Sequence, residues 1–220
     1  MGRPADVVVV ESRGSLYRAA ARLLPAALFA AVGALNLRSA IIADSQSTLI
    51  HQLLSAALWF MFATLVLLRP VPVRRTTDRV AVAVAFAAQG AVIVLGALGE
   101  DAGGGARVTV GSVLLAGGLI FALVSVAVLG RCFGVLPDVR GLVTRGPYRF
   151  VRHPLYLGEL VAALGVALGT KRFALAMAVW VVCVALQLAR TRYEERSLTA
   201  EFPEYQAYSQ RTKRLVPFLV

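Results

Sequence analysis

Arg152-His153-Pro154-Leu155-Tyr156 and, further along, Glu194-Glu195 are the two places where this sequence concentrates reactive side chains. Pro154 opens a long apolar run. It suits the first position of a helix, where its missing N–H has no partner to lose, and His153 then suits the cap. Such a start turns free N–H groups and the positive end of the helix dipole outward. Arg149 and Arg152 add full charge beside it, which makes the segment a site for a small anion such as a carboxylate or phosphate. Gly146-Pro147 forms a turn that brings Tyr148 back to the same place. Glu159 follows Tyr156 by three residues and shares its helix face. A plain interfacial anchor would also use Arg and Tyr here, but a carboxylate inside an apolar run is a functional candidate by default.

The second cluster lies in "QLARTRYEERSL", where Gln187, Arg190, Glu194 and Leu198 fall on one helical face. Arg190 and Glu194 alone would make an i,i+4 ion pair of about 0.2–0.5 kcal/mol. Brought against the first cluster, they do more. One side offers cations and helix-end donors, the other two carboxylates and an arginine. A pocket of that kind suits a zwitterion bearing an additional positive centre, and S-adenosylmethionine has that charge pattern. Its carboxylate would meet the Arg/His helix end and its ammonium Glu194 or Glu195. Tyr148 and Tyr156 would flank the adenine or the sulfonium, which an aromatic face attracts.

The elements that must hold these groups are membrane spans. Of 220 residues, 58% are hydrophobic and 16% charged, with mean hydropathy +0.73; soluble domains carry about 25% charged residues. Apolar runs cover Leu23 to Ile42, Leu49 to Leu68, Val80 to Leu98 and Val108 to Gly130. A last run from Leu155 to Arg190 pauses at "GTKR" (Gly169 to Arg172), which reads as two short helices joined by a hairpin. The fold class is therefore all-α, a polytopic membrane protein of six transmembrane helices with a C-terminal helical hairpin and a cofactor site on the cytoplasmic face. Residues 1–220 form one domain: four N-terminal spans over 1–130, then the motif segment, hairpin and cytoplasmic tail over 131–220.

The net charge of +11 belongs to topology, not to nucleic-acid binding. With the N-terminus in the cytoplasm, nineteen of the 23 Lys and Arg fall on that side. Arg38, Arg107, Lys171 and Arg172 alone lie opposite, as the positive-inside rule requires for six spans with both termini inside. The abundance of Arg over Lys, with many Ala and Val, points to a GC-rich genome and so to a bacterial plasma membrane. Cys132 and Cys183 have no metal-like spacing, so neither a metal nor a disulfide is expected. "GEDAGGGARVTVG" (Gly99 to Gly111) mimics a nucleotide-binding loop. It lacks the strand that such a loop follows and reads as an external linker.

"RGLVTRGPYRFVRHPLYLGE", followed by "EERSLTAEFPEYQAYSQRTKRLVPF", resembles the isoprenylcysteine carboxyl methyltransferases and related phospholipid methyltransferase-like membrane enzymes. The resemblance covers roughly residues 130 to 218. It implies S-adenosylmethionine bound by Arg140, Gly141, Leu142 and Val143, by Tyr148, by His153, Pro154, Leu155 and Tyr156, and by Glu194. It also implies that Arg190 handles the methyl acceptor. Arg140 stands where the eukaryotic enzymes carry His, and the first four spans show no comparable signature. The expected activity is methyl transfer to a lipophilic or lipid acceptor, most like carboxyl O-methylation, with no nucleic acid or metal involved. Glu159 would serve as a base if the acceptor were an amine or thiol. The alternatives are lipid-amine N-methylation of the phosphatidylethanolamine type, thiol S-methylation, and an NADPH-dependent sterol-type reductase, which the carboxylate pair disfavours by repelling a phosphorylated ribose.

Overall fold

The computed structural model describes residues 7–99 and 104–215, with side chains from Arg22 onward. The described residues form seven α-helices: α1 (Val7–Ile41), α2 (Gln46–Leu68), α3 (Arg79–Ala97), α4 (Ala106–Leu129), α5 (Pro154–Gly169), α6 (Phe173–Glu201) and α7 (Glu204–Arg211). No strand forms among them beyond two isolated bridges. The protein is all-helical, as its hydropathy pattern requires. Among the described residues, five helices are long and apolar enough to cross a membrane. The expected hairpin is α5 and α6, joined through Thr170, Lys171 and Arg172. With 16 residues, α5 is only about 24 Å long against a hydrocarbon core of about 30 Å. α1 begins well before its apolar run, because helix formers such as Leu16 and Ala19 to Ala21 carry the helix past the membrane-compatible part. Residues 100–103 of the expected external linker lie outside the described residues, and α4 starts at Ala106.

Local chemistry sets the boundaries. Ser45 caps α2 by accepting from the Thr48 N–H at 3.1 Å, and Asp78 caps α3 by accepting from Val80 and Ala81. Pro154 occupies the first turn of α5 and His153 the cap, as expected, although the imidazole makes no capping bond. Gly146, at φ 58°, starts a 3-10 turn (Gly146–Arg149) packed on α4. A side chain there would be strained in backbone and would press on Val128. α6 runs 29 residues, about 44 Å, so its last turns project beyond any hydrocarbon layer and carry Glu194 and Glu195 out of it.

α4 and α5 make the closest helix pair. A Cβ on Gly118 would come within 2.7 Å of the Gly158 carbonyl oxygen, and one on Gly158 within 2.7 Å of the Ala122 nitrogen. Small residues let the backbones touch, which is how helices associate where lipid removes the hydrophobic drive. α1 packs on α2, α2 on α4, and α3 on α6. Phe29, Trp59 and Phe62 interlock between α1 and α2, with ring centroids 5.6–5.8 Å apart. Outward faces stay apolar too, with Leu24 and Ile41 exposed, as a lipid-facing surface requires. At the end of the bundle holding the hairpin turn, the Thr170 hydroxyl donates to the Leu98 carbonyl at 2.7 Å. The other end holds the motif segment.

Candidate functional site

A cleft opens at that other end, walled by the segment following α4, the Gly146–Arg149 turn, the start of α5, the end of α6, and α7. Its first wall is not helical and is held from two sides. The α2–α3 connection bridges to it: Val73 N–H donates to the Val139 carbonyl at 2.8 Å and Val139 N–H to the Arg74 carbonyl at 2.9 Å. Asp138 accepts from the Thr76 N–H at 3.0 Å and pairs with Arg140 at 3.0 Å. Burial pulls the Arg140 guanidinium below its ordinary pKa, and Asp138 works against that shift. The Arg140 Nε is buried without a hydrogen-bond partner among the described residues. Tyr148 is buried in the opposite wall. Burial first, and the charge of Glu194 second, push its hydroxyl far above the usual tyrosine range, so it stays a neutral donor.

The floor joins α5 to α6. The Tyr156 hydroxyl donates to Glu194, and the Tyr156 ring stacks on His153 at 5.6 Å and 7°. Glu194 also receives Arg190 Nε at 3.3 Å and lies 3.7 Å from His153 Nδ1. Arg190 is 3% exposed. Its guanidinium sits 4.6 Å over the Tyr156 ring, and its Nη2 donates to the Val135 carbonyl at 2.7 Å. The two sequence clusters are therefore adjacent, bonded through Tyr156 and Glu194.

The neighbouring carboxylate does something else. Glu195 receives Arg214 through Nε at 3.1 Å and Nη2 at 2.7 Å, pairs with Arg152 at 3.0 Å, and lies 3.2 Å from His153 Nε2. That contact holds the Arg214 guanidinium charged, with its pKa raised. The chain around Arg214 runs beside the motif: Arg152 N–H donates to the Lys213 carbonyl at 2.8 Å and His153 N–H to the Arg214 carbonyl at 3.1 Å. Arg152 Nη1 also reaches the Ser209 carbonyl in α7, and Tyr208 donates to the Tyr148 carbonyl at 2.6 Å. Glu195 thus clamps the tail across one side of the cleft.

Of the twelve residues expected to bind a cofactor, all but Pro154 and Glu195 line the cleft. Arg149, invoked for the anion site, is exposed and stacks on Phe150 at 4.4 Å. Sequence reasoning missed Asp138, Tyr205, Tyr208 and Arg214. The tail "EYQAYSQRTKR" carries aromatic and basic residues at helical spacing, a signal that something packs there but not against what. Tyr205 is 2% exposed and lines the cleft, with a buried hydroxyl that has no partner among the described residues.

Glu159 and Arg190, expected at the acceptor, do not line the cleft. Glu159 accepts from Gln187 Nε2 at 2.8 Å and forms part of a second, partly open cavity, about 380 Å³, lined by α1 to α5. Phe62 faces that cavity and Phe133 faces the cleft. Cys132 and Cys183 are free thiols. Among the described residues, no three of His, Cys, Asp and Glu gather as a metal site would need.

Residues 106–204, which include most of the segment that builds the cleft, match the phospholipid methyltransferase family model and so support a relationship to integral-membrane methyltransferases. The cobalt-zinc-cadmium resistance protein CzcN of Cupriavidus metallidurans is 36% identical over 101 residues, 44% of this chain and 46% of the relative. The nickel-cobalt-cadmium resistance protein NccN of Alcaligenes xylosoxydans xylosoxydans is 36% identical over 78 residues, 36% of this chain and 37% of the relative. The matched stretch spans less than half the length of each of these curated relatives.

Proposed function

We propose that this chain is an S-adenosylmethionine-dependent methyltransferase acting on a lipophilic acceptor, with the cofactor in the cleft and the acceptor approaching from within the bundle. The observation that carries this reading is the mixed donor set of one cleft. Glu194 offers a carboxylate for an ammonium, while Arg140 Nε and the Tyr205 hydroxyl are buried donors with no protein acceptor among the described residues. A ligand with both a cationic group and acceptor atoms satisfies all three, and an unsatisfied buried donor costs about 1–3 kcal/mol. The cleft is partly open and about 100 Å³ in volume, room for one end of such a cofactor, and the rest would lie beyond its mouth.

The cofactor supplies an electrophilic methyl group on a sulfonium, already activated for in-line displacement. The protein therefore needs to align, to hold charge and to exclude water. Glu194, fixed by Tyr156 and Arg190, presents its carboxylate without rotating. Arg190 has Nε on Glu194 and Nη2 on Val135, so it positions the carboxylate and the cleft wall together. Glu159 faces the acceptor side and is the group placed to take a proton from an amine or thiol. The cleft faces the cytosol in this reading, with both termini on that side. Isoprenylcysteine-type carboxyl methylation is one member of this class. The metal-resistance names of the two relatives say nothing of the acceptor.

Calorimetric titration of the purified protein with S-adenosylhomocysteine and with NADPH tests the cofactor. Binding of the first and not the second is expected. His153→Ala, Tyr156→Ala and Glu194→Ala should each weaken it by about 1.5–3 kcal/mol. Unchanged affinity in all three folded variants would leave the segment a membrane anchor, and NADPH binding would favour the reductase reading.

A further inference from the structure

The partly open cavity lined by α1 to α5 occupies the half of the bundle remote from the cleft. Asn36 and Ser39 lie in the last turns of α1, Gln52 and Ser55 in the first turns of α2, and Gln89 in the second half of α3. Glu159, in the second turn of α5, and Phe62 of α2 bring it down toward Tyr156 and the cleft. Helices here are apolar enough to lie in lipid, so a simple hydrocarbon pocket would be lined by Leu, Val and Ala throughout. Instead, six polar side chains share its wall. Asn36 and Ser39 donate to carbonyls of their own helix, leaving their oxygens to accept. Gln52, Ser55 and Gln89 bond to no protein group among the described residues. Amides placed in a lipid-embedded wall without partners are unfavourable unless the occupant of the cavity supplies them.

The charge of the lining narrows the occupant. Among the described residues, Glu159 is the one ionisable group lining the cavity, and no Lys, Arg or His does. A carboxylate or phosphate inside would meet the Glu159 carboxyl group, and the cation that acts on Glu159, Arg190, lies outside the lining with its Nε already donating to Glu194. A bare alkyl chain would leave the amides and hydroxyls unsatisfied. We infer that this cavity is a binding site for an amphiphile whose polar end carries no anionic charge, an alcohol, amide or amine, held by Gln52 and Gln89 and directed toward Glu159. To call that amphiphile the methyl acceptor rests on the methyltransferase reading; the site itself does not. The polar end then approaches the cleft through the turn of α5 between Glu159 and Tyr156, beside Phe62.

Trp59 lines the cavity and reports on it directly. In a Trp180→Phe protein reconstituted in nanodiscs, it is the remaining tryptophan. Brominated amphiphiles of one chain length, ending in an alcohol, an amine, a carboxylate or a phosphate, are titrated against its fluorescence. Saturable quenching by the alcohol and the amine is expected, with the carboxylate and phosphate weaker by about tenfold or more. Glu159→Gln should strengthen the carboxylate relative to the alcohol, narrowing the difference between them. Gln89→Leu should weaken the alcohol by about fivefold with the melting temperature unmoved. Equal quenching by all four head groups, non-saturable quenching, or preference for the acid would overturn the site. S-adenosylhomocysteine binding, measured on the same sample, tests the methyltransferase reading alone.

Discussion

Phe62 of α2 and Phe133, just beyond α4, stack with their ring centroids 4.6 Å apart and their planes 13° from parallel, and the two rings face different chambers. Phe62 is 1% and Phe133 4% exposed. The pair is a partition between the cavity inside the bundle and the cleft at its end. Tyr156 and Glu159 divide along the same line, one facing the cleft and the other the cavity, a single turn apart on α5.

Thinning the partition should change selectivity more than stability. Phe133→Leu keeps an apolar side chain but loses the stacked ring, a loss of about 0.5–1.5 kcal/mol. The expected result is a small drop in melting temperature with wider tolerance of branched acceptors in competitive methyl transfer. An unchanged ratio of branched to linear products would show that the rings do not gate passage.

The adjacent carboxylates should separate cleanly by phenotype. Glu195→Gln removes the charged partner of Arg214 and Arg152, at about 1.5–3 kcal/mol. The tail after α7 should become sensitive to limited proteolysis. Glu194→Gln should leave that cleavage pattern as in the parent while lowering cofactor affinity. The same protease pattern in both variants would remove the clamp from Glu195.

The helix contact between α4 and α5 rests on absent side chains. Gly118→Val would drive a Cβ into the Gly158 carbonyl and the Ala162 backbone, and should destabilise by about 1–3 kcal/mol. Gly117→Ala is the control, since nothing lies within 4 Å of a Cβ there. Thermal unfolding in detergent should separate the two variants; equal melting temperatures would contradict the close contact.

Topology can be read by impermeant thiol labelling in a Cys132→Ser background. Lys171→Cys should react from outside intact cells and Arg75→Cys only after permeabilisation. Both positions are exposed, whereas Thr170, beside the first, is buried. The reverse pattern would invert the protein in the membrane.

Much of this molecule could be read from the chain because the relevant signals are local. Apolar runs give spans by length, Pro154 gives the start of α5, and the pause at Gly169 to Arg172 gives the hairpin. The types at Arg152 to Tyr156 and at Glu194 marked the cleft before any fold was known. What no local signal carries is direction. Neighbours on a helix point about 100° apart, so Glu194 and Glu195 must face different ways. Which of them meets Tyr156 depends on how α6 is turned about its axis, and packing against α3 and α5 decides that. The same holds for Gln52 and Gln89, unremarkable polar residues in two different spans. They share a cavity only because α1 to α5 line one. Arg214 is a further case, since its partner Glu195 is reached only when the tail folds back beside the motif. Composition and periodicity determined the spans and the chemistry on offer; the mutual rotation of the packed helices decided which groups meet.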